Sequence, residues 1–175
     1  KDIRVGDIIE IQRAGDVIPQ ITRVIDKPST RGLKIIPPKN CPVCGSKTIK
    51  EADEAVLRCE NIMECEAQIL GRLKHFVSKK SLNIDGFGDK QVIQFWKLGF
   101  IKNYTDIFIL NKYRKKIIQL EGWGELSYNN LLKAIEKSKK VEFSKFIYSL
   151  GIRFVGETIS MLLAKEFIRT KIFVD

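Results

Sequence analysis

Hydrophobic and polar positions follow one another in three different textures along this chain. In residues 1–37 the alternation has a period of two: Ile9 and Ile11 are interleaved with Glu10 and Gln12, while Gly6-Asp7 and Ala14-Gly15-Asp16 supply turns. That is the pattern of short, half-buried strands. The run Leu33 to Ile36 reads as a further strand, ended by Pro37-Pro38, because proline brings no N–H to a ladder. Residues 38–67 hold all four cysteines and little periodicity. From about Ala67 the spacing becomes helical, and no proline after Pro42 is present to break a helix.

The helical part repeats. Leu82-Asn83-Ile84-Asp85-Gly86-Phe87-Gly88 is echoed by Leu120-Glu121-Gly122-Trp123-Gly124 and, more loosely, by Leu150-Gly151-Ile152-Arg153-Phe154-Val155-Gly156. Each echo is followed by an amphipathic stripe: Val92, Phe95, Trp96; then Tyr128, Leu131, Leu132, Ile135; then Ile159, Leu162, Leu163. Stripes spaced i, i+3, i+4 bury one helical face. Phe143, Phe146, Ile147 and Leu150 form a similar stripe ahead of the third echo. The repeating unit is therefore a helix, a tight glycine turn and a second helix. Trp123, between the turn glycines, is expected to pack inward.

The predicted fold class is multidomain α+β. Residues 1–37 form a β domain, residues 38–67 a small four-cysteine module, and residues 68–175 all-α repeats. A chain of 175 residues accommodates one ordinary domain or two to three small ones. It starts without Met, enters strand-like sequence almost at once and stops in helix-like sequence. Both ends read as cut, which suggests a fragment. No apolar run approaches the roughly 20 residues needed to cross a bilayer, so no membrane partner is expected.

Composition changes this picture in one respect. Lys and Arg number 31 against 21 Asp and Glu, a formal charge of +10. An excess of cations favours a polyanionic partner, since each neutralised phosphate releases counterions. The competing explanation is a basic surface kept for solubility.

The cysteines are spaced Cys41-x2-Cys44-x14-Cys59-x5-Cys65, with the first pair in a Cys-Pro-Val-Cys-Gly knuckle. Four thiolates suit a tetrahedral, closed and therefore structural Zn²⁺ site. Two disulfides, or unrelated core cysteines, are the alternatives. Clustering within residues 41–65 and the polar loop between the pairs speak for the metal. A closed site leaves no position for hydrolytic metal chemistry.

A glycine turn opening a helix presents unpaired backbone N–H groups and the positive end of the helix dipole. Glycine also lets an anion approach the backbone closely. Gly86, Gly88, Gly122, Gly124, Gly151 and Gly156 are thus candidate phosphate contacts, which would hold a duplex without reading bases. Lys90, Lys133 and Arg153 lie near these turns in sequence and are candidate DNA contacts, each also readable as a solvated surface residue. The runs Lys112 to Lys116 and Lys137 to Lys140 read as solvated helix faces. A dinucleotide-binding fingerprint is excluded because the third glycine is missing and no strand leads into Gly86.

Catalytic chemistry is hard to place. His75 is the only histidine, and its setting beside Phe76 reads as structural. Asp53 and Glu54 have no surrounding acid–base pattern. Asn83-Ile84-Asp85-Gly86 has the form of a nucleotidyltransferase Lys-x-Asp-Gly, but asparagine offers no amine for a covalent nucleotide.

In combination these features resemble the bacterial-type NAD-dependent DNA ligases. Val5-Gly6-Asp7 and Arg13-Ala14-Gly15-Asp16-Val17-Ile18-Pro19-Gln20 look like that family's OB-fold segment, which adds Arg13 to the candidate DNA contacts. Cys41, Cys44, Cys59 and Cys65 look like its zinc module. Leu73-Lys74-His75-Phe76-Val77-Ser78 with the glycine turns looks like its helix-hairpin-helix array. The resemblance implies a partial OB-fold barrel over 1–37, and a zinc module over 38–67 that fixes the array relative to that barrel. A truncated DNA-binding array over 68–175 would follow. It implies a cytoplasmic, nucleoid-associated bacterial parent enzyme that seals nicks in duplex DNA in replication and repair, using NAD⁺ and Mg²⁺. The Lys-x-Asp-Gly motif does not occur in these 175 residues, so the resemblance also implies that this chain alone is an inactive, monomeric, DNA-gripping part. The alternative is a non-enzymatic repair scaffold of zinc and helix-hairpin-helix modules. The run from Arg13 to Pro19 argues against it, since such a scaffold has no need of that segment.

Overall fold

The structure is a computed structural model that describes residues 2–14, 18–52, 54 and 56–170, with side chains left aside at 14, 18 and 168–170. The expected turn at Gly15-Asp16, along with Val17, Asp53 and residues 171–175, lies outside the described residues. Two compact units are present, Lys1–Glu60 and Asn61–Asp175.

In the first unit β1 (Ile8–Ala14) pairs antiparallel with β2 (Ile18–Asp26), in a register interrupted between Ile8 and Ile9 and between Glu10 and Ile11. Thr22 Oγ1 donates to the Glu10 carboxylate at 2.7 Å, and Arg23 pairs with the same group at 3.0 Å. Those contacts, Thr22 before Arg23, hold the Glu10 carboxyl below its usual range. The expected strand Leu33 to Ile36 reduces to a single bridge between Arg4 and Lys34. Leu33, Ile35 and Ile36 are exposed. Among the described residues these strands form a two-stranded sheet and no closed barrel. Two strands are too few to bury a face, and Ile8, Ile11 and Ile25 all stand in solvent.

An ionic clasp closes this unit. Arg31 reaches both carboxylate oxygens of Asp7, at 2.9 and 2.7 Å, and the Asp2 carboxylate at 2.9 Å. Next to it Gly32 N–H donates to the Val5 carbonyl at 3.0 Å. A Cβ at residue 32 would meet that oxygen at 2.6 Å, so the close approach requires glycine. The Asp7 side chain is fully enclosed, and the Arg31 guanidinium holds its carboxyl at about 2. A depressed acid contributes stability that is complete above its ordinary value of 3.8 and lost as pH falls through about 2. Amide resonances of Val5 and Gly32, followed in an acid titration, should therefore move with a midpoint near 2. Arg31→Met should bring that midpoint up toward 3.8.

The second unit is helical: α1 (Glu66–Val77), α2 (Asp89–Lys97), α3 (Tyr104–Ile107), a 3-10 turn (Leu110–Tyr113), α4 (Arg114–Ile117), α5 (Glu125–Ser138), α6 (Phe143–Ser149) and α7 (Glu157–Thr170). None is long and apolar enough to cross a membrane. The stripes on α2 and α5 face inward as their spacing predicts: Val92, Phe95, Tyr128, Leu131 and Ile135 are buried, beside Leu73 and Phe76 from α1. Aromatic rings knit the first two turns together. Phe95 lies 5.3 Å from Phe87 and 5.0 Å from Trp123, whose indole N–H donates to Gln94 at 3.1 Å.

The stripe on α7 differs from expectation. Ile159 and Leu162 are exposed, and Ser160 and Ala164 are the buried residues. Small side chains at i and i+4 are the buried ones, Leu163 is half-buried, and Ile159 and Leu162 are left outside. Phe143 and Phe146 of α6 are also partly exposed, with Ile147 alone of that stripe buried.

Candidate metal centre and nucleic-acid interface

The first cysteine pair is held by a small folded knuckle. Gly45, at φ +73°, turns the chain so that its N–H reaches the Cys41 carbonyl at 2.9 Å, while Cys41 N–H reaches the Ser46 carbonyl at 2.7 Å. β3 (Thr48–Ile49) and β4 (Arg58–Cys59) then pair antiparallel, opposing Thr48 to Cys59. Cys65 is the residue on which α1 starts. The four sulfur atoms lie within 4.8 Å of one another, and those of Cys44 and Cys59 are 3.5 Å apart. A tetrahedron with metal–sulfur bonds of about 2.3 Å has edges of about 3.8 Å, so the spacing suits one zinc ion. None of the four is in a disulfide. Hydrogen bonds from the Ser46 side chain and backbone pull the Cys44 thiol down to about 6. That shift is toward the thiolate, the form a metal requires.

The three glycine turns share one geometry. Phe87 N–H donates to the Ile84 carbonyl at 3.2 Å, Trp123 N–H to Leu120 at 3.0 Å, and Val155 N–H to Ile152 at 3.0 Å. The residue before each of these donors is left-handed: Gly86 at +77°, Gly122 at +76° and Phe154 at +66°. A helix then begins, with Val92, Tyr128 and Ser160 donating back to Gly88, Gly124 and Gly156. The caps Gly88 and Gly124 have ordinary extended backbone and no side-chain hydrogen bond to the helix start. A Cβ would meet nothing within 4 Å at Gly124 or Gly156, and only the Gln91 side-chain oxygen, at 3.5 Å, at Gly88. The fold therefore does not need glycine at these three positions. The first two turns face a common cleft of about 420 Å³ lined by Asp85, Gly86, Gln91, Gly122, Trp123 and Asn130, among others.

The remaining candidates are dispersed. Gly151, at φ +63°, ends α6 and abuts the His75 ring, where a Cβ would come within 3.3 Å. His75 itself bonds the Tyr148 carbonyl at 2.8 Å and packs edge-on to the Tyr148 ring, a structural setting. Lys90 is exposed in the first turn of α2, and Arg13 is exposed on β1. Lys133 stands about 12 Å along α5 from its start, at about 1.5 Å per residue. Arg153 lies over the Phe154 ring at 4.6 Å.

Sequence reasoning missed a different set of cations. Each helix that follows a glycine turn starts on an acid, and each acid is paired: Asp89 with Lys74 at 3.4 Å, Glu125 with Arg114 at 2.7 Å, and Glu157 with Lys80 at 2.8 Å. The repeated Gly-acid step was visible in the sequence. The partners were not, since Arg114 and Lys80 stand 11 and 77 residues away.

Comparison with known proteins agrees with this geometry. Residues 40–67 match the family model for the NAD-dependent DNA ligase C4 zinc finger domain. The chain is 49% identical over 174 residues to a DNA ligase of Pelagibacter ubique, covering 95% of this chain and 25% of that protein. It is 46% identical over 169 residues to one of Nitrobacter hamburgensis and 43% identical over 167 residues to one of Gluconobacter oxydans, covering 95% of this chain and 24% of each. The chain thus spans about a quarter of the length of the curated relatives it matches. The recognition made from its motifs agrees with these findings: over 95% of its length the chain is similar to a segment of DNA ligases, and residues 40–67 match the zinc finger domain of the NAD-dependent ones.

Proposed function

We propose that this segment is the zinc-stapled part of an NAD-dependent, nick-sealing DNA ligase that holds duplex DNA by its backbone. One observation carries the reading: Gly88, Gly124 and Gly156 stand at equivalent helix starts where neither backbone angle nor internal space demands glycine. Space kept clear in front of unpaired N–H groups suits an approaching phosphate. Lys74, Lys80 and Arg114 stand beside the same helix starts in ion pairs with Asp89, Glu157 and Glu125, so a phosphate arriving there would compete with those carboxylates for them.

In this reading Cys41, Cys44, Cys59 and Cys65 bind one structural Zn²⁺, and the segment binds as a monomer. Gly86, Gly88, Gly122, Gly124, Gly151 and Gly156 form the backbone contacts, with Lys90, Lys133, Arg153 and Arg13 adding charge. NAD⁺ and Mg²⁺ chemistry, and the roles in replication and repair, belong to the longer cytoplasmic enzyme. Residues 1–37 would contribute to its OB-fold and residues 68–175 to its helix-hairpin-helix array.

Fluorescence anisotropy with nicked and intact duplexes of unrelated sequence tests the proposal. Affinity should be nearly independent of sequence, and log K should fall by about 0.9 per log unit of salt for each phosphate neutralised. Binding that tracks base sequence, or ignores salt, would refute it. The chain alone should take up no covalent adenylate from NAD⁺ and seal no nicks, since it holds no Lys-x-Asp-Gly. Radiolabelled adenylate on this polypeptide would contradict that division of labour.

A further inference from the structure

The three turns are alike in hydrogen bonding and backbone angle, and they differ at one side chain. Where the first two have Gly86 and Gly122, the third has Phe154 at φ +66°. A bulky L-residue is strained in this region, and strain of this kind, held in place by the surrounding structure, clusters at functional sites. Packing does not account for it: the side chain is 77% exposed, and its ring lies against the neighbouring Arg153 guanidinium, 4.6 Å away. Glycine would hold the same turn without strain, as it does in the other two copies.

We infer that Phe154 is an apolar wedge against the bases and sugars of bound DNA, so that the third turn contacts the duplex differently from the first two. The inference rests on the reading that this segment holds duplex DNA. At Gly86 and Gly122 a Cβ would have open space around it, and a phosphate can come up to the backbone there. At residue 154 the phenyl group occupies that place. A ring with a guanidinium beside it offers an apolar face to a base or a deoxyribose, and a cation to the phosphate joined to it. The helix start behind it, at Gly156, remains clear.

Phe154→Gly separates this role from folding, because removing left-handed strain should stabilise the chain. The zinc-loaded chain, Phe154→Gly and Phe154→Trp are compared by thermal melting and by titration onto a duplex carrying 2-aminopurine. Phe154→Gly should melt a few degrees higher. It should bind roughly 5- to 100-fold more weakly, the usual worth of an aromatic stacked on a base, with an unchanged salt slope. Its 2-aminopurine fluorescence change should be smaller than that of the wild type. Phe154→Trp should retain the wild-type affinity. Wild-type affinity in Phe154→Gly, or a salt slope steeper by about 0.9 because the turn has gained a phosphate, overturns the wedge and leaves the wider reading intact. A wild-type chain without salt-dependent duplex binding overturns both.

Discussion

Chelating zinc, or replacing Cys44 with serine, is expected to unfold residues 40–67 while the helical core stays folded. The segment has almost nothing else to hold it. Its two strands are two residues each, and Val43, Ile49, Val56, Leu57, Ile62 and Met63 are all exposed. Among the described residues there, the buried side chains are those of Cys41 and Cys65 themselves. A four-thiolate zinc site contributes on the order of 10–16 kcal/mol of apparent binding energy at neutral pH, far more than these strands could. The helices rely instead on Leu73, Phe76, Phe95, Tyr128, Leu131 and other buried side chains, a cluster that includes none of the four cysteines. Hydrogen exchange should therefore show protection lost at Thr48 and Glu60, whose N–H groups donate to Lys39 and Lys47, with far-UV circular dichroism from the helices largely retained. Elemental analysis of the untreated chain should find about one zinc per chain. A metal content near zero with these amides still protected would mean that the knuckle folds without the ion.

Gly88→Val and Gly124→Val are expected to weaken duplex binding by about tenfold or more each, with little change in fold. Both glycines have ordinary φ, −82° and −152°, so valine adds no left-handed strain. The left-handed glycines of these two turns are Gly86 and Gly122, whose substitution would confuse strain with blocked access. Valine at 88 or 124 places a branched side chain in front of the first helix N–H groups. It removes hydrogen bonds to a charged oxygen, each worth about 1.5–3 kcal/mol. Lys115→Ala removes one exposed charge in a screened setting and should cost severalfold at most. The salt slope should fall in the glycine variants by about 0.9 per phosphate lost. Affinity equal to wild type in both variants, with circular dichroism unchanged, would leave these turns as core connections only.

The features readable from the sequence were those in which neighbours in the chain are neighbours in space. The knuckle Cys41-Pro42-Val43-Cys44-Gly45 needs only a short turn to bring two sulfurs together. The stripes Val92, Phe95 and Tyr128, Leu131, Ile135 follow from helical periodicity on helices with one large apolar side. Tertiary structure decided the rest. On α7, apolar residues lie on more than one face, and close packing selected Ser160 and Ala164 over Ile159 and Leu162, a choice periodicity cannot make. Leu33 to Ile36 had strand character, but its pairing with Ile3 to Val5 stops at the single bridge between Arg4 and Lys34. The cations beside the helix starts depend on ion pairs across distant segments, as between Lys80 and Glu157. The equivalence of Phe154 to Gly86 and Gly122 is a matter of backbone angle, and a backbone angle is set by the turn's hydrogen bond rather than by the side chain that occupies it.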